Sequence, residues 1–460
     1  MSEAAPEEGT DGPSGTDGPS GAGGPSEGEL RRERAVRAAV VQGIVGEERP
    51  LAGLLDVTGI RRTARALQSA FAPLVAPGGP GVRHTFAVRA TPLVPVLRLL
   101  YEDRIGAEVA SAAELALARA AGVQPGHTVL DSPTKTVAEL REALGSGVLV
   151  DVDDAQELER LDALRGEAAA TSTFGVRVDP HADEGRRAVF GVPLADEGAR
   201  EWIISAFAER PWLTRLHAHS EVKNAGGVAP ERLAEGVRRV YELAEEINAA
   251  AGRRQVDALA LGGGLAAGVR EGDVGEHAGA DFAGYAALLQ ERVPGLFDGR
   301  YALVTGFGRS LLAGHGFLLA RVEYVRAMGG RRLAVTHVGT RMAGHACGRR
   351  LAAYDAQGRP KEGPALAQDL AGPAQFDGEL LASGAELPEL EQGDWLAVLD
   401  TGAYGFARHQ AYDSLTRPGI HGFAAGAEGV RFATVRSPQT LAEFVTESGA
   451  AHTRALTDDL

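Results

Sequence analysis

The sequence is poor in cysteine, lysine and long apolar runs, and each scarcity excludes something. It has 460 residues and one cysteine, Cys347. That rules out an internal disulfide framework, a Cys-rich zinc site and an iron–sulfur cluster, and it points to a reducing compartment. No 18-residue apolar stretch suggests a membrane span, and no basic segment followed by an apolar core opens the chain. The expectation is a cytoplasmic protein. Acids outnumber bases 62 to 47, for a formal charge of -15, so the chain lacks the basic surface that nucleic acid requires. Only three of the basic residues are lysines: Lys135, Lys223 and Lys361. A Schiff base needs an amine that can lose its proton, and a guanidinium does not. Any imine to a carbonyl cofactor must therefore use one of those three side chains or the terminal amine.

What is present divides into a tail and a folded body large enough for two or three domains. Residues 1–29 are rich in Gly, Ser, Pro and acid, carry seven acids and no base, and repeat Thr-Asp-Gly-Pro-Ser-Gly at 10–15 and 16–21. They bury too little apolar surface to offset their ordering entropy and read as a disordered acidic tail. Residues 30–83 form an N-terminal segment, in which 50–58 reads as a strand that joins a later β domain, followed by a helix over 60–71. From residue 84, short apolar runs at 84–88, 107–110, 128–131, 148–152, 174–178, 213–219, 257–261 and 301–305 alternate with Ala/Leu/Glu/Arg stretches of helical period, such as 112–121, 136–144, 155–164 and 230–250. Eight strand–helix units in some 220 residues is the count of a (β/α)8 TIM barrel, placed here over 84–311. A doubly wound sheet is the alternative. Beyond it, strands at 318–325, 333–338, 351–355, 395–400 and 430–435 lack crossover helices, so 312–460 reads as an antiparallel β domain.

Local motifs then carry a resemblance. His84-Thr-Phe-Ala-Val-Arg-Ala-Thr-Pro-Leu93, Gly106-Ala-Glu-Val-Ala-Ser-Ala-Ala-Glu-Leu115, Leu216-His-Ala-His219, Leu261-Gly-Gly-Gly264, Gly306-Phe-Gly-Arg309, Leu370-Ala-Gly-Pro373, Glu391-Gln-Gly-Asp-Trp395 and Asp400-Thr-Gly-Ala-Tyr404 follow one another in that order. In order and wording they resemble the fold-type III pyridoxal-phosphate (PLP) enzymes, the family of alanine racemase and of the diaminopimelate, ornithine and arginine decarboxylases. The likeness runs from about residue 50 to 420. It implies a TIM barrel with a C-terminal β domain, PLP as cofactor, and a homodimer with its site at the interface. His219 takes the place of the histidine that stacks on the cofactor ring. Gly262, Gly263, Gly264, Gly308 and Arg309 take the place of the phosphate cup, and Tyr404 that of the hydroxyl reaching the phosphate from the second domain.

The same alignment implies losses. Arg89 stands where the cofactor lysine belongs, and Gly306 stands for the glutamate that holds the pyridine nitrogen. Glu221-Val222 replace a phosphate-binding serine, Gln375 and Phe376 replace the cysteine and acid lent across the dimer, and His337 falls near the substrate-binding aspartate. PLP by family, without the usual internal aldimine or with no cofactor at all, is the expectation.

For the residues themselves, bland readings stay beside functional ones. Arg89 is either an anion clamp or the partner of Glu108 or Asp131 inside the barrel. Gly262–264 is a tight turn or a ligand loop. Lys223 is an exposed loop charge or a relocated Schiff-base lysine. Lys135 reads as structural and Lys361 as solvated. His217, His219, His337, His345 and Cys347 invite a metal, but His217 and His219 are expected to face opposite sides of their strand, so no metal site is expected. Three functions follow. The first is a decarboxylase-family enzyme with a rebuilt site, with His219 and Tyr404 as acid/base groups and Arg89 and Arg309 as clamps on a small anionic substrate. The second is a non-catalytic homologue acting through partner contacts. The third is a PLP decarboxylase using Lys223.

Overall fold

The computed structural model describes residues 25–167, 171–181, 189–219, 227–267, 280–343, 350–406 and 409–457. Helix α1 (Glu27–Val41) starts at a capping box in which Ser26 accepts from the Glu29 amide and Glu29 accepts from the Ser26 amide. Residues 27–29 are thus helical, although their composition groups them with the acidic tail. Strand β1 (Leu51–Asp56) follows, and Asp56 caps the next helix, α2 (Val57–Phe71), by accepting from the Gly59 amide at 3.1 Å.

Eight parallel strands then close into a barrel: β2 (Val82–Ala87), β3 (Gly106–Val109), β4 (Thr128–Asp131), β5 (Leu149–Val152), β6 (Thr173–Asp179), β8 (Leu213–Ala218), β9 (Ala258–Ala260) and β10 (Ala302–Phe307). A two-residue strand, β7 (Val192–Pro193), lies outside the ring against β6. β2 pairs with both β3 and β10, and closure comes from β5 against β6. Helices over the apolar outer face share one large core with it, including Phe86, Val150, Val176, Leu216 and Leu303. The interior of the ring is partly charged. Arg215, 1% exposed, donates to Asp151 Oδ1 at 2.8 and 3.0 Å and to the Val150 carbonyl at 3.0 Å.

The second sheet is mostly antiparallel and runs β15 (Leu380–Pro388), β14 (Ala365–Ala371), β12 (Arg331–Thr336), β11 (Gly316–Met328), β1, β17 (Gly419–Gly426), β18 (Gly429–Arg436). Two further strands, β13 (Leu351–Tyr354) and β16 (Trp395–Val398), pair with each other, and β16 also pairs with β11. β1 lies between β11 and β17, so the N-terminal segment is threaded into the middle of this sheet. Ala35, Val36 and Ala39 of α1 cover it, against Leu54, Phe317, Trp395 and Phe423. No helix among the described residues is long and apolar enough to cross a membrane.

Candidate active site

A cavity of about 350 Å³ opens where the carboxyl ends of the barrel strands meet the segment after β16. Its lining includes Arg89, Asp131, Arg177, His219, Gly263, Gly264, Gly308, Arg309 and Tyr404. This is the face at which barrel side chains and loops converge. Seven of the nine candidate residues named from sequence, Arg89 among them, therefore surround one space. Gly262 lies just behind it, while Lys223, Glu221, Val222, His345 and Cys347 lie outside the described residues.

One side of the cavity is built from glycine backbone. Gly262 and Gly264 have φ of +65° and +100°, conformations that favour glycine. A Cβ on Gly263 would lie 1.9 Å from the Gly306 carbonyl oxygen, so this turn packs directly on the end of β10. The glycines are required by a tight turn, and Gly263 and Gly264 also face the cavity. Arg309 follows β10 and lays its guanidinium 5.0 Å from the centre of the Tyr404 ring. Tyr404 has a left-handed backbone, φ +59°, which costs roughly 1–2 kcal/mol in a non-glycine residue. Its amide donates to the Ala90 carbonyl at 2.7 Å, and Asp400 upstream takes two bonds from Arg350 at 2.9 and 3.0 Å. The segment from the second sheet is thereby fastened onto the end of β2.

The opposite side is a salt-bridged pair. Arg89 Nη1 donates to Glu108 Oε1 at 2.7 Å; the carboxylate is buried and the arginine side chain is 34% exposed. Burial alone would make this guanidinium less basic, but the charge of Glu108, aided by Tyr404 and Asp131, outweighs it and raises the pKa. A Cβ on Gly306 would lie 2.0 Å from Glu108 Oε2. The glutamate of β3 thus fills the space that a side chain at 306 would need. Arg89 pairs with Glu108, as one of its two readings from sequence has it, and it is also a wall of the cavity.

Between these sides lies a charged floor that sequence reading largely missed. Arg177 on β6 donates to Asp131 Oδ2 at 2.8 Å. Its signal was available: Arg177 sits between buried Val176 and Val178 in a strand. His217 Nδ1 lies 3.0 Å from Asp151 Oδ2, and the His217 and His219 rings are 5.4 Å apart. This corrects the expectation that the two histidines face opposite ways. Residues i and i+2 of a strand share a face, and His219, one residue past the end of β8 with its amide bonded to the Val178 carbonyl at 3.1 Å, keeps that relation to His217.

The two imidazoles also differ electrostatically. Desolvation opposes charge on His217, but Asp151 and Asp131 outweigh it and raise its pKa. His219 is driven well below the ordinary value by desolvation, then by Arg177 and His217. Asp131 is held well below the usual carboxylate range because Arg177, the histidines and Arg89 outweigh its burial.

No described amine faces this cavity. Lys135 Nζ is buried against the Ser132 and Asp151 carbonyls and Glu157 Oε1, all within 2.7 Å. Lys361 pairs with Glu391 and Asp394 in the second sheet. The glycine turn with Arg309 and Tyr404 fits the phosphate end of a cofactor such as PLP, whereas the described residues offer nothing to hold its aldehyde covalently. His337 pairs with Glu323 at 3.1 Å, and Gln375 donates its amide to Asp413, each away from the cavity.

Comparison with known proteins agrees with this architecture. Residues 58–313 match the family model described as pyridoxal-dependent decarboxylase, pyridoxal binding domain. The chain is 32% identical to the diaminopimelate decarboxylase of Actinosynnema pretiosum over 405 residues, covering 82% of this chain and 84% of that one. It is 28% identical to the diaminopimelate decarboxylase of Aquifex aeolicus over 349 residues, 72% of this chain and 78% of the other. Among solved structures, diaminopimelate decarboxylase from M. jannaschii in complex with L-lysine superposes with a TM-score of 0.76 at 20% identity, covering 90% of this chain and 94% of that chain. A TIM barrel joined to a mostly antiparallel sheet, a pyridoxal-binding model over more than half the chain and decarboxylase relatives at this identity establish that the chain belongs to the fold-type III pyridoxal-dependent decarboxylase family.

Proposed function

We propose that this chain is a divergent amino-acid decarboxylase-family enzyme that binds a small anionic, amino-acid-like or phosphorylated substrate between the barrel mouth and the β domain. It does so without the lysine linkage to PLP that its family uses. The observation that carries this reading is the Arg89–Glu108–Gly306 arrangement. The family resemblance assigns the cofactor lysine and the pyridine-binding glutamate to positions 89 and 306, and there the buried carboxylate of Glu108 bonds the Arg89 guanidinium and fills the space beside Gly306. PLP, when bound in this family, supplies an electron sink for a carbanion. Here the residues support anion binding instead. Arg89, Arg177 and Arg309 ring one cavity, and a planar guanidinium suits two-point contact with a carboxylate or phosphate. His219, kept neutral by its surroundings, presents an imidazole nitrogen to the cavity, and the Tyr404 hydroxyl donates a proton. The site would lie at a homodimer interface, with Gln375 and Phe376 facing it from the second copy.

A non-catalytic homologue is the competing reading, favoured by the closure of Arg89 onto Glu108. A thermal-shift screen of phosphate, dicarboxylates and amino acids against the full chain separates the two. The enzyme reading expects a small anion to raise Tm, as any ligand selective for the native state must, and expects Arg309→Ala to abolish the shift. If no anion stabilises the protein, the reading fails.

A further inference from the structure

We propose that Asp131, His217 and His219 bind one divalent transition-metal ion of the zinc class at the floor of the cavity. Asp131 Oδ1, His217 Nε2 and His219 Nδ1 are buried atoms with no hydrogen-bond partner among the described residues. Asp131 and His217 are 2% and 1% exposed. One ligand atom from each of the three residues lies within 4.8 Å of the others, the one such group among the described residues. An orphaned buried polar atom is destabilising, and three of them in one place are rare in a native fold. A single ion satisfies all three. Ligands about 2.0–2.1 Å from a tetrahedral ion sit roughly 3.4 Å apart, which small rotations of two imidazoles and a carboxylate supply.

The supporting contacts have the form of a metal site's outer shell. His217 is fixed through Nδ1 by Asp151 Oδ2, which leaves Nε2 as its donor, and Asp131 is fixed through Oδ2 by Arg177, which leaves Oδ1. Two imidazoles and one carboxylate leave the remaining positions open towards the cavity, to water or to an oxygen of an anionic substrate. The surrounding charge decides how tightly the ion is held. Asp131, Asp151 and Glu108 are balanced by Arg177, Arg215 and Arg89, so the ion adds two charges to a neutral network. Its affinity therefore rises when an anion enters the cavity.

The test is a Co(II) titration of chelator-treated full-length protein, read by visible absorption and by metal analysis after gel filtration. The expected result is one equivalent of Co(II) per chain, displaced by Zn(II), with affinity lowered at least about tenfold in His219→Ala and Asp131→Asn and unchanged in His337→Ala. His219 is the least buried of the three, so its variant is read first, with circular dichroism and thermal denaturation confirming the fold. No stoichiometric Co(II) at millimolar concentration overturns the proposal, as does an affinity that His219→Ala leaves intact. Either result would assign the three atoms to a bound water.

Discussion

The two sides of the cavity are held together in different ways. The side formed by Gly262–Gly264, Arg309 and Tyr404 is shaped by backbone: left-handed glycines, a carbonyl 1.9 Å from where a Cβ would sit, and a tyrosine tied by its own amide. The side formed by Arg89, Glu108 and Gly306 is shaped by side-chain charge, a buried carboxylate closing on a half-buried guanidinium. Backbone shape outlasts changes in side-chain identity, whereas a charge network must be rewritten as a unit. Replacing one member of the charged side therefore disturbs the others, whereas trimming a side-chain tip on the backbone side, as in Tyr404→Phe, does not.

The largest effect comes from placing a glutamate at 306. Gly306→Glu drives a side chain into Glu108 and buries a second carboxylate beside it, so a loss above about 4 kcal/mol is expected in chemical denaturation. Adding Glu108→Gly should recover much of it; a double variant no better than the single would break the comparison. Next, Arg89→Met leaves Glu108 buried without its partner, a loss of about 3 kcal/mol, reduced from the fully buried case because Arg89 is partly exposed.

Acid acts at another point of the barrel wall. His84 on β2, bonded to Thr305 of β10 at 2.9 Å, has its pKa pushed down by burial to about 4 from an ordinary 6.5. The folded state then holds fewer protons than the unfolded state between those values. Stability is fully present above the unfolded value and is lost as pH falls through that window, by up to about 3 kcal/mol. Comparing the pH dependence of denaturation with His84→Gln isolates this share, which the variant should lack. The smallest effect belongs to the backbone side. Tyr404→Phe should leave stability within about 0.5 kcal/mol and weaken anion binding by about 1 kcal/mol, near fivefold, in calorimetry.

Much of the fold was legible because the barrel strands are buried on both sides and so read as continuous apolar runs between helical stretches. The strand at 50–58 was legible for the same reason; five of the six β1 residues are buried. Strands β14, β15 and β17 were not. Their sequences, Ala-Leu-Ala-Gln-Asp-Leu-Ala, Leu-Leu-Ala-Ser-Gly-Ala-Glu-Leu-Pro and Gly-Ile-His-Gly-Phe-Ala-Ala-Gly, are nearly empty of β-branched residues, and much of β14 and β15 is exposed. At the site, motif order brought Arg89, His219, Gly308, Arg309 and Tyr404 to one cavity, but it carried no information on the Arg177–Asp131 pair in its floor. The meeting of His217 and His219 was legible, because a side-chain period of two puts both on one face; the expectation of opposite faces inverted that rule.

The central claim, that the cavity retains an anion cup but has lost covalent cofactor attachment, is tested most directly by one spectrum. Full-length protein is mixed with PLP, its visible absorption is recorded before and after borohydride, and the reduced sample is digested and weighed by mass spectrometry. The account predicts no stoichiometric pyridoxyl group on Lys135, Lys223 or Lys361, and cofactor that dialyses away. A stoichiometric adduct on Lys223, lost together with the visible band in Lys223→Ala, would contradict it.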